Sequence, residues 1–365
     1  MSTPAEPNVW ILLADRAGGN GQLISLAEAL GWPYERKTIA YNWLNRCPNI
    51  LLGATLATVR PNAARRLQPP WPDIVIGASR RSVPVARWIR QQSGGRTKLV
   101  HLLHAMAPLD LFDLVITTPQ YRLPERSNVL HLSAALNRID SDRLQIAAAK
   151  WAPRFGSLAR PYVALFIGGN SATYRLDPAT AERLGASASA AAASAGGTLL
   201  VSTSPRTPAK AADAAITAIT CPRFVYRWKA DDPDNPYHAF LALADRFIVT
   251  ADSASLLVEA CLMGRPVEVF AWPMRENPVL QGKEWLWRHF AAGETTTDRG
   301  MPLMERLVDW GLLKPPRDFA GLHRELGRRG LIKPLGAPNI AAERQPLDDM
   351  ERVVAAIRRL FALPT

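Results

Sequence analysis

The sequence predicts an α/β protein built from two Rossmann-like domains, each around a mostly parallel sheet, and two observations predict it. Short apolar runs alternate with helical patterns twice over. The chain has 365 residues, long for one domain and comfortable for two, with enough core to need no staples.

In the first half the expected strands are residues 9–14 (VWILLA), 73–78 (DIVIGA), 98–104 (KLVHLLH), 113–118 (DLVITT) and 128–133 (NVLHLS). In the second half they are residues 162–169 (YVALFIGG), 198–203 (TLLVST), 223–228 (RFVYRW), 246–251 (RFIVTA) and 267–271 (VEVFA). Between the two sets, residues 134–160 are polar and helical, so the division is expected at 1–155 and 156–345. Residues 346–365 carry Leu347, Met350, Val353, Val354, Ile357 and Leu360 on one helical side, an amphipathic helix expected to pack back across the hinge.

Composition narrows the function. Three cysteines, Cys47, Cys221 and Cys261, are widely separated and show no metal-ligand spacing, which fits a reducing compartment. The apolar run Val9–Ala14 is too short for a signal or spanning helix, and no other segment approaches about 18 apolar residues. A cytoplasmic protein is expected. The net charge of +12 invites an anionic partner. An acidic membrane surface at the inner face is one such partner, which would make the protein peripheral. The basic residues, in RPNAARR and SRRSVPVARWIRQQ among others, lack the aromatic interleaving of an RNA-binding sheet, so sequence-specific nucleic-acid binding is not expected. The tract ASASAAAASAGG reads as a bland alanine-rich helix.

Ligands of open α/β sheets bind beyond the carboxyl ends of the strands, so the following loops carry the candidates. After the first strand come Asp15, Arg16, Gly18, Gly19, Asn20 and Gln22, a glycine-rich turn without the GxGxxG spacing. Asp15 is its one acid and the candidate general base. In the second half, Gly168, Gly169, Asn170 and Ser171 offer a nest of backbone N–H groups for an anion. Ser204, Arg206 and Thr207 precede Pro208, a hydroxyl N-cap with proline at N1, and Arg206 suits a phosphate. Asn235 and Tyr237 follow, while Tyr226 and Trp228 would either flank a nucleobase or fill the core.

The segment TADSASLLVEACLMGRP, residues 250–266, asks the sharpest question. Asp252 is the expected N-cap and Gly264 the C′ residue of a helix over residues 253–263 that is apolar except for Glu259. A lone acid among apolar neighbours needs a partner. Asp252, Ser255 and Glu259 share a face, and Glu259 lies about 6 Å beyond Ser255 along the axis, near a phosphate-to-ribose distance. Two readings stand: Ser253 and Ser255 with the helix N-terminus hold a phosphate while Glu259 accepts ribose hydroxyls, or Asp252 only caps and Glu259 pairs with an arginine. The six histidines show no metal-ligand spacing and no P-loop is present, so no bound metal or cofactor is expected.

Taken together, DRAGGNGQ, IGGNSATYRL, TSPRTP, DNPYHAFLALAD and TADSASLLVEACLMGRPV resemble, in order, the plant elongated-mitochondria fission-factor family and its bacterial homologues. The resemblance implies a GT-B glycosyltransferase-like fold. It implies that a nucleotide-diphosphate sugar, as donor substrate, is held in the interdomain cleft mainly by the second domain, with Glu259 on the ribose and Ser253 and Ser255 near the diphosphate. DRAGGNGQ becomes the acceptor-side loop, and transfer would need no metal, with Asp15 as base. The rival expectation is a non-catalytic recruitment scaffold on the same fold. A sugar-nucleotide epimerase or oxidoreductase would lack its GxGxxG fingerprint.

Overall fold

The computed structural model describes residues 6–14, 19–137, 139–171, 173–272, 281–282, 284–285, 287, 303–338 and 343–361. These form two compact units. The first comprises Met1–Leu136, Pro278–Asp318 and Asp348–Thr365, and the second Asn137–Asn277 and Phe319–Leu347.

The first unit runs β1 (Val9–Ala14), α1 (Asn20–Leu30), β2 (Tyr34–Ile39), α2 (Asn49–Leu52), α3 (Pro61–Ala64), β3 (Ile74–Ala78), α4 (Val83–Gln92), β4 (Lys98–Leu102), β5 (Leu114–Thr117) and β6 (Val129–His131). Its sheet is parallel, in the order β2-β1-β3-β4-β5-β6, with Val9 of β1 level with Tyr34 on one side and Ile74 on the other. Side chains alternate across a strand, and β1 shows the result. Val9, Ile11 and Leu13 pack into one apolar cluster with Leu23, Leu26 and Leu30 of α1, while Trp10 and Leu12 enter the opposite one with Val83 and Ile89. A strand buried on both faces reads as an unbroken apolar run, which is why β1 was visible in the sequence. The edge strand β2, sequence YERKTI and largely exposed, carries no such run and was not expected. The strand expected over residues 98–104 stops at Leu102, because Leu103 takes a left-handed φ of 71°.

The second unit runs α5 (Ser141–Phe155), β7 (Tyr162–Phe166), α6 (Pro178–Ala193), β8 (Thr198–Ser202), α7 (Ala209–Thr217), β9 (Arg223–Tyr226), α8 (Tyr237–Leu243), β10 (Arg246–Thr250), α9 (Ala254–Leu262), β11 (Val267–Phe270), the helix Phe319–Arg328 and β12 (Lys333–Pro334). The parallel order is β12-β11-β10-β7-β8-β9. Counted within the unit this is 3-2-1-4-5-6 read from the β9 edge, the dinucleotide-fold arrangement, whose topological switch lies between β7 and β10. The alanine-rich tract supplies the C-terminal half of α6.

The division between units falls after Leu136, not near residues 150–160. Aromatic packing explains the difference: Trp151 stacks on Phe155 with centroids 5.7 Å apart, and Phe155 lies 5.1 Å from Phe224 and 5.9 Å from Phe240, all of the second unit. The C-terminal helix, Asp349–Arg359, belongs to the first unit and buries Val353 and Ile357 against the α1 side of its sheet. Leu347 precedes it and falls in the second unit. No helix among the described residues is long and apolar enough to cross a membrane.

Asp349 ties that helix down. Its carboxylate, 4% exposed, accepts hydrogen bonds from the backbone N–H groups of Ser133 at 3.0 Å and Ala134 at 2.9 Å, just past the last strand. Asp349→Ala would strand both amides, each costing about 1–3 kcal/mol. Urea denaturation should therefore show the first unit losing at least about 2 kcal/mol, whereas an exposed control, Glu351→Ala, should change it by less than about 0.5 kcal/mol.

Candidate functional site

Three loops meet at the switch point of the second sheet. After β7 the chain passes Ile167 into Gly168 and Gly169, both buried. A Cβ on Gly168 would lie 2.2 Å from Asp252 Oδ1, and one on Gly169 2.1 Å from the Arg206 carbonyl oxygen. Only glycine admits the other two loops this closely. The Gly168 N–H donates to Thr250 Oγ1 at 2.7 Å and the Gly169 N–H to Asp252 Oδ2 at 2.9 Å. The Asn170 N–H donates to the Arg206 carbonyl at 3.0 Å and the Ser171 N–H to the Tyr174 carbonyl at 2.9 Å. All four amides expected to form an anion nest are thus spent within the chain.

The side chains of this loop are similarly engaged. Asn170 Oδ1 accepts from the Leu176 N–H at 3.0 Å, and Ser171 Oγ from the Tyr174 N–H at 3.0 Å. From the loop after β8, Ser204 Oγ donates to the Gly168 carbonyl at 2.9 Å, and the Thr207 hydroxyl reaches the same carbonyl. Thr207 was expected to cap a helix with Pro208 at N1. Instead Pro208 is itself the N-cap of α7, because the Thr207 hydroxyl is committed to the β7 loop.

Asp252 also departs from its expected role. Ser253, not Asp252, is the N-cap of α9, which begins at Ala254 and ends before Gly264 with its left-handed φ of 72°. The side chain of Asp252 is fully buried and turns back to accept from Gly169 and pair with Arg206 Nη2 at 3.0 Å. The residue reads locally as a cap, but a buried carboxylate is better satisfied by an amide plus a guanidinium. Arg206 also donates through Nη1 to the Asn170 carbonyl at 3.4 Å while its side chain remains 38% exposed.

The other end of α9 holds Glu259. Its Oε2 accepts from the Tyr237 hydroxyl at 2.6 Å and its Oε1 from Asn137 Nδ2 at 3.0 Å. Asn137 Nδ2 lies 3.5 Å from the Ser255 carbonyl as well, bridging the two turns. Tyr237 opens α8, where Asn235 Oδ1 accepts its N–H at 3.0 Å. Both are neutral donors, and among the described residues no arginine forms an ion pair with Glu259. Asn137 carries no motif around it and precedes α5 by several residues, so only the requirement for a donor was readable in sequence. Thr250, which holds Gly168, was likewise missed.

Burial raises the Glu259 carboxyl above its ordinary value, while the Tyr237 and Asn137 hydrogen bonds and the nearby Arg143 cation pull it part of the way back. Burial, followed by the Glu259 charge and hydrogen bond, holds the Tyr237 phenol well above its usual range. Beside it, burial and Arg143 push His238 down to about 4. The N-terminal turn of α9 is open by contrast. Ser253 makes no side-chain cap, Ser255 is exposed, and the first turn carries no acid. Trp228 is 40% exposed, so it is not a core residue, whereas Tyr226 is partly buried and donates to Asp232 Oδ2 at 2.9 Å.

Of the residues expected to contact an acceptor, Asp15, Arg16 and Gly18 lie outside the described residues. Gly19 is the N-cap of α1. Asn20 spends its amide on β1, accepting from the Ala14 N–H at 3.0 Å and donating to the Ala14 carbonyl at 2.8 Å, and Gln22 is half-buried on α1. No group of three or more His, Cys, Asp or Glu among the described residues could hold a metal ion.

Comparison with known proteins adds the following. A family profile described as "Mitochondrial fission ELM1" matches residues 17–294. An Arabidopsis thaliana protein named "Mitochondrial fission protein ELM1" is 32% identical over 220 residues, covering 54% of this chain and 51% of that protein. The chain thus spans about half the length of that relative. An uncharacterized Rickettsia prowazekii (strain Madrid E) protein is 24% identical over 299 residues, 73% of this chain and 84% of its own. Among solved structures, the UDP-GlcNAc 2-epimerase from Methanocaldococcus jannaschii aligns over 96% of this chain and 99% of that chain at 12% identity and a TM-score of 0.49. A likeness that distant carries nothing about this chain's ligand.

The raised Glu259 has a consequence for stability. The folded chain holds this proton more tightly than the unfolded chain, so the stabilisation is complete below the ordinary value of 4.5 and is lost as pH rises through the raised value. Glu259→Gln mimics the protonated form. It should therefore be more stable relative to the parent at pH 7 than at pH 4 in urea denaturation, and a difference that does not change with pH would remove burial as the dominant influence on this carboxyl.

Proposed function

This chain belongs to the mitochondrial fission ELM1 family, and from that premise we propose that its second unit binds a nucleotide-diphosphate sugar at the carboxyl edge of its sheet. The reading rests above all on Glu259. A carboxylate whose hydrogen-bond partners among the described residues are a phenol and an amide, set among apolar helix neighbours, presents a pair of acceptor oxygens, and a ribose diol supplies donors that would complete it. One turn nearer the N-terminus, Ser255 and Ser253 flank amides without a cap, where a helix favours phosphate. Between them runs the roughly 6 Å of helix that separates these parts of a nucleotide.

Transfer of the sugar to an acceptor follows the glycosyltransferase reading that the sequence motifs imply. The departing diphosphate would be stabilised by the α9 dipole and Arg206, with no bound metal, and the acceptor hydroxyl would need a base, a role proposed for Asp15.

A second reading has its own observation. With all four amides of Gly168–Ser171 donating within the chain and Arg206 paired to Asp252, the expected diphosphate subsite is satisfied by itself. That favours a scaffold on the same fold, consistent with relatives named for mitochondrial fission.

Calorimetric titration separates the two. Under the nucleotide reading Glu259→Gln lowers affinity for a nucleoside diphosphate about tenfold, since charge-assisted hydrogen bonds contribute about 1.5–3 kcal/mol, and barely alters affinity for the 2′,3′-dideoxy analogue. Equal weakening of both ligands would show that Glu259 holds the fold rather than the ribose. No binding of any nucleoside diphosphate by the parent would leave the scaffold.

A further inference from the structure

The basic segments that the candidate site does not use converge elsewhere. Four arginines, Arg46, Arg60, Arg80 and Arg81, line an open cavity of about 320 Å³ in the first unit, together with Trp43 and Asn45. No carboxylate lines it, and among the described residues none of the four forms an ion pair. The walls are fixed from outside. Arg80 Nη1 donates to the Cys47 carbonyl at 3.1 Å, and the buried Asn49 donates through Nδ2 to the Arg80 carbonyl at 2.8 Å and to the Ala105 carbonyl at 3.0 Å. On the other side Asn42 Nδ2 donates to the Ala57 carbonyl at 2.7 Å. Burial first, and then the neighbouring Arg81 charge, lower the Arg80 pKa.

Gathering four guanidinium groups without an acid is unfavourable unless an anion offsets them, and the planar forks match phosphate oxygens. The surroundings say which phosphate. Trp43 is 73% exposed, Ile50 50% and Leu51 79%, all on the one segment that also carries Arg46. Scattered exposed apolar residues are ordinary, but three large ones within nine residues, the first of them lining a cationic cavity, are not. A soluble phosphate or a nucleic-acid backbone would give them nothing to bury against. A bilayer does, because aromatic residues settle at the headgroup level and aliphatic ones at the acyl boundary.

We propose that this face of the first unit docks on an anionic phospholipid bilayer, the four-arginine cavity taking a lipid headgroup phosphate while Trp43, Ile50 and Leu51 enter the interface. Each arginine near such a surface strengthens binding about fivefold, and burying a leucine-sized side chain does so about tenfold.

The test is co-sedimentation of the full chain with vesicles of phosphatidylcholine alone or with about 30% phosphatidylglycerol, across about 0.05 to 0.5 M salt. The parent should pellet with the acidic vesicles only, less so as salt rises. Arg46→Glu with Arg60→Glu, both exposed, should weaken this at least tenfold. Trp43→Ser with Leu51→Ser should also weaken it at least tenfold while circular dichroism stays unchanged. If the charge reversals disturb folding, Arg46→Gln with Arg60→Gln serves instead, with a loss of about tenfold or more. Equal binding to neutral vesicles, no binding to either, or binding that survives the arginine substitutions overturns the proposal. So does a loss confined to the arginine variants with Trp43 and Leu51 indifferent, the result expected of a free phosphate or nucleic-acid site.

Discussion

Asp252 is shut away from solvent, with its Oδ2 answered by one backbone amide and one guanidinium while Oδ1 is buried without a hydrogen-bond partner among the described residues, and much of the second unit's carboxyl edge is arranged around that fact. A buried carboxylate that loses its partner typically costs about 3–5 kcal/mol, far more than an N-cap contributes, so the tertiary demand outranks the local one. The consequences spread to both neighbouring loops. Gly168 and Gly169 have no room for a Cβ because Asp252 and the Arg206 backbone occupy it. Arg206 is brought over the β7 loop, and Ser204 and Thr207 turn inward to satisfy the Gly168 carbonyl. One ion pair therefore fixes three loops at the switch point of the sheet.

That coupling also explains what sequence could and could not convey. The doubly covered strands were legible because burial on both faces leaves an unbroken apolar run, as in VWILLA and YVALF. Strand β2 was not, since an edge strand is free to be polar. Helix α5 looked like a linker of the first half, but Trp151 and Phe155 seek the aromatic cluster of the second, and contacts of that kind leave no trace in local periodicity. The membership of the candidate site was readable from strand-end loops, whereas the roles of Asp252 and Thr207 were not, because each residue's cap propensity competes with a partner more than 30 positions away. Glu259 lies between these cases: its need for a donor followed from its neighbours, its actual donors from the fold alone.

The two ends of α9 offer different chemistry to a ligand. At Glu259 the carboxylate is already held by Tyr237 and Asn137, so its orientation is set before any ligand arrives, and each oxygen retains lone-pair capacity beyond its one hydrogen bond. Preorganisation of this kind lowers the ordering cost of binding. At the N-terminus nothing is pre-set. Ser253 and Ser255 are unconstrained by a cap, and their adaptation would be drawn from rotamer freedom.

The Arg206–Asp252 pair decides how a diphosphate could be accommodated without dismantling the edge. Pulling Arg206 away would leave Asp252 with the Gly169 amide alone, in a site closed to water, and the penalty for that buried charge would consume much of what a phosphate contact returns. A ligand that leaves the pair intact avoids this. Guanidinium presents five N–H donors in a rigid fork. Asp252 pairs with Nη2 and the Asn170 carbonyl accepts from Nη1, while the side chain stays 38% exposed with N–H donors left over. Phosphate bound there would meet a cation whose position is already fixed from behind. The carboxylate that takes up the Gly169 amide is then also the group that fixes the arginine, so the structural role of this ion pair is compatible with the anion-binding role proposed for Arg206.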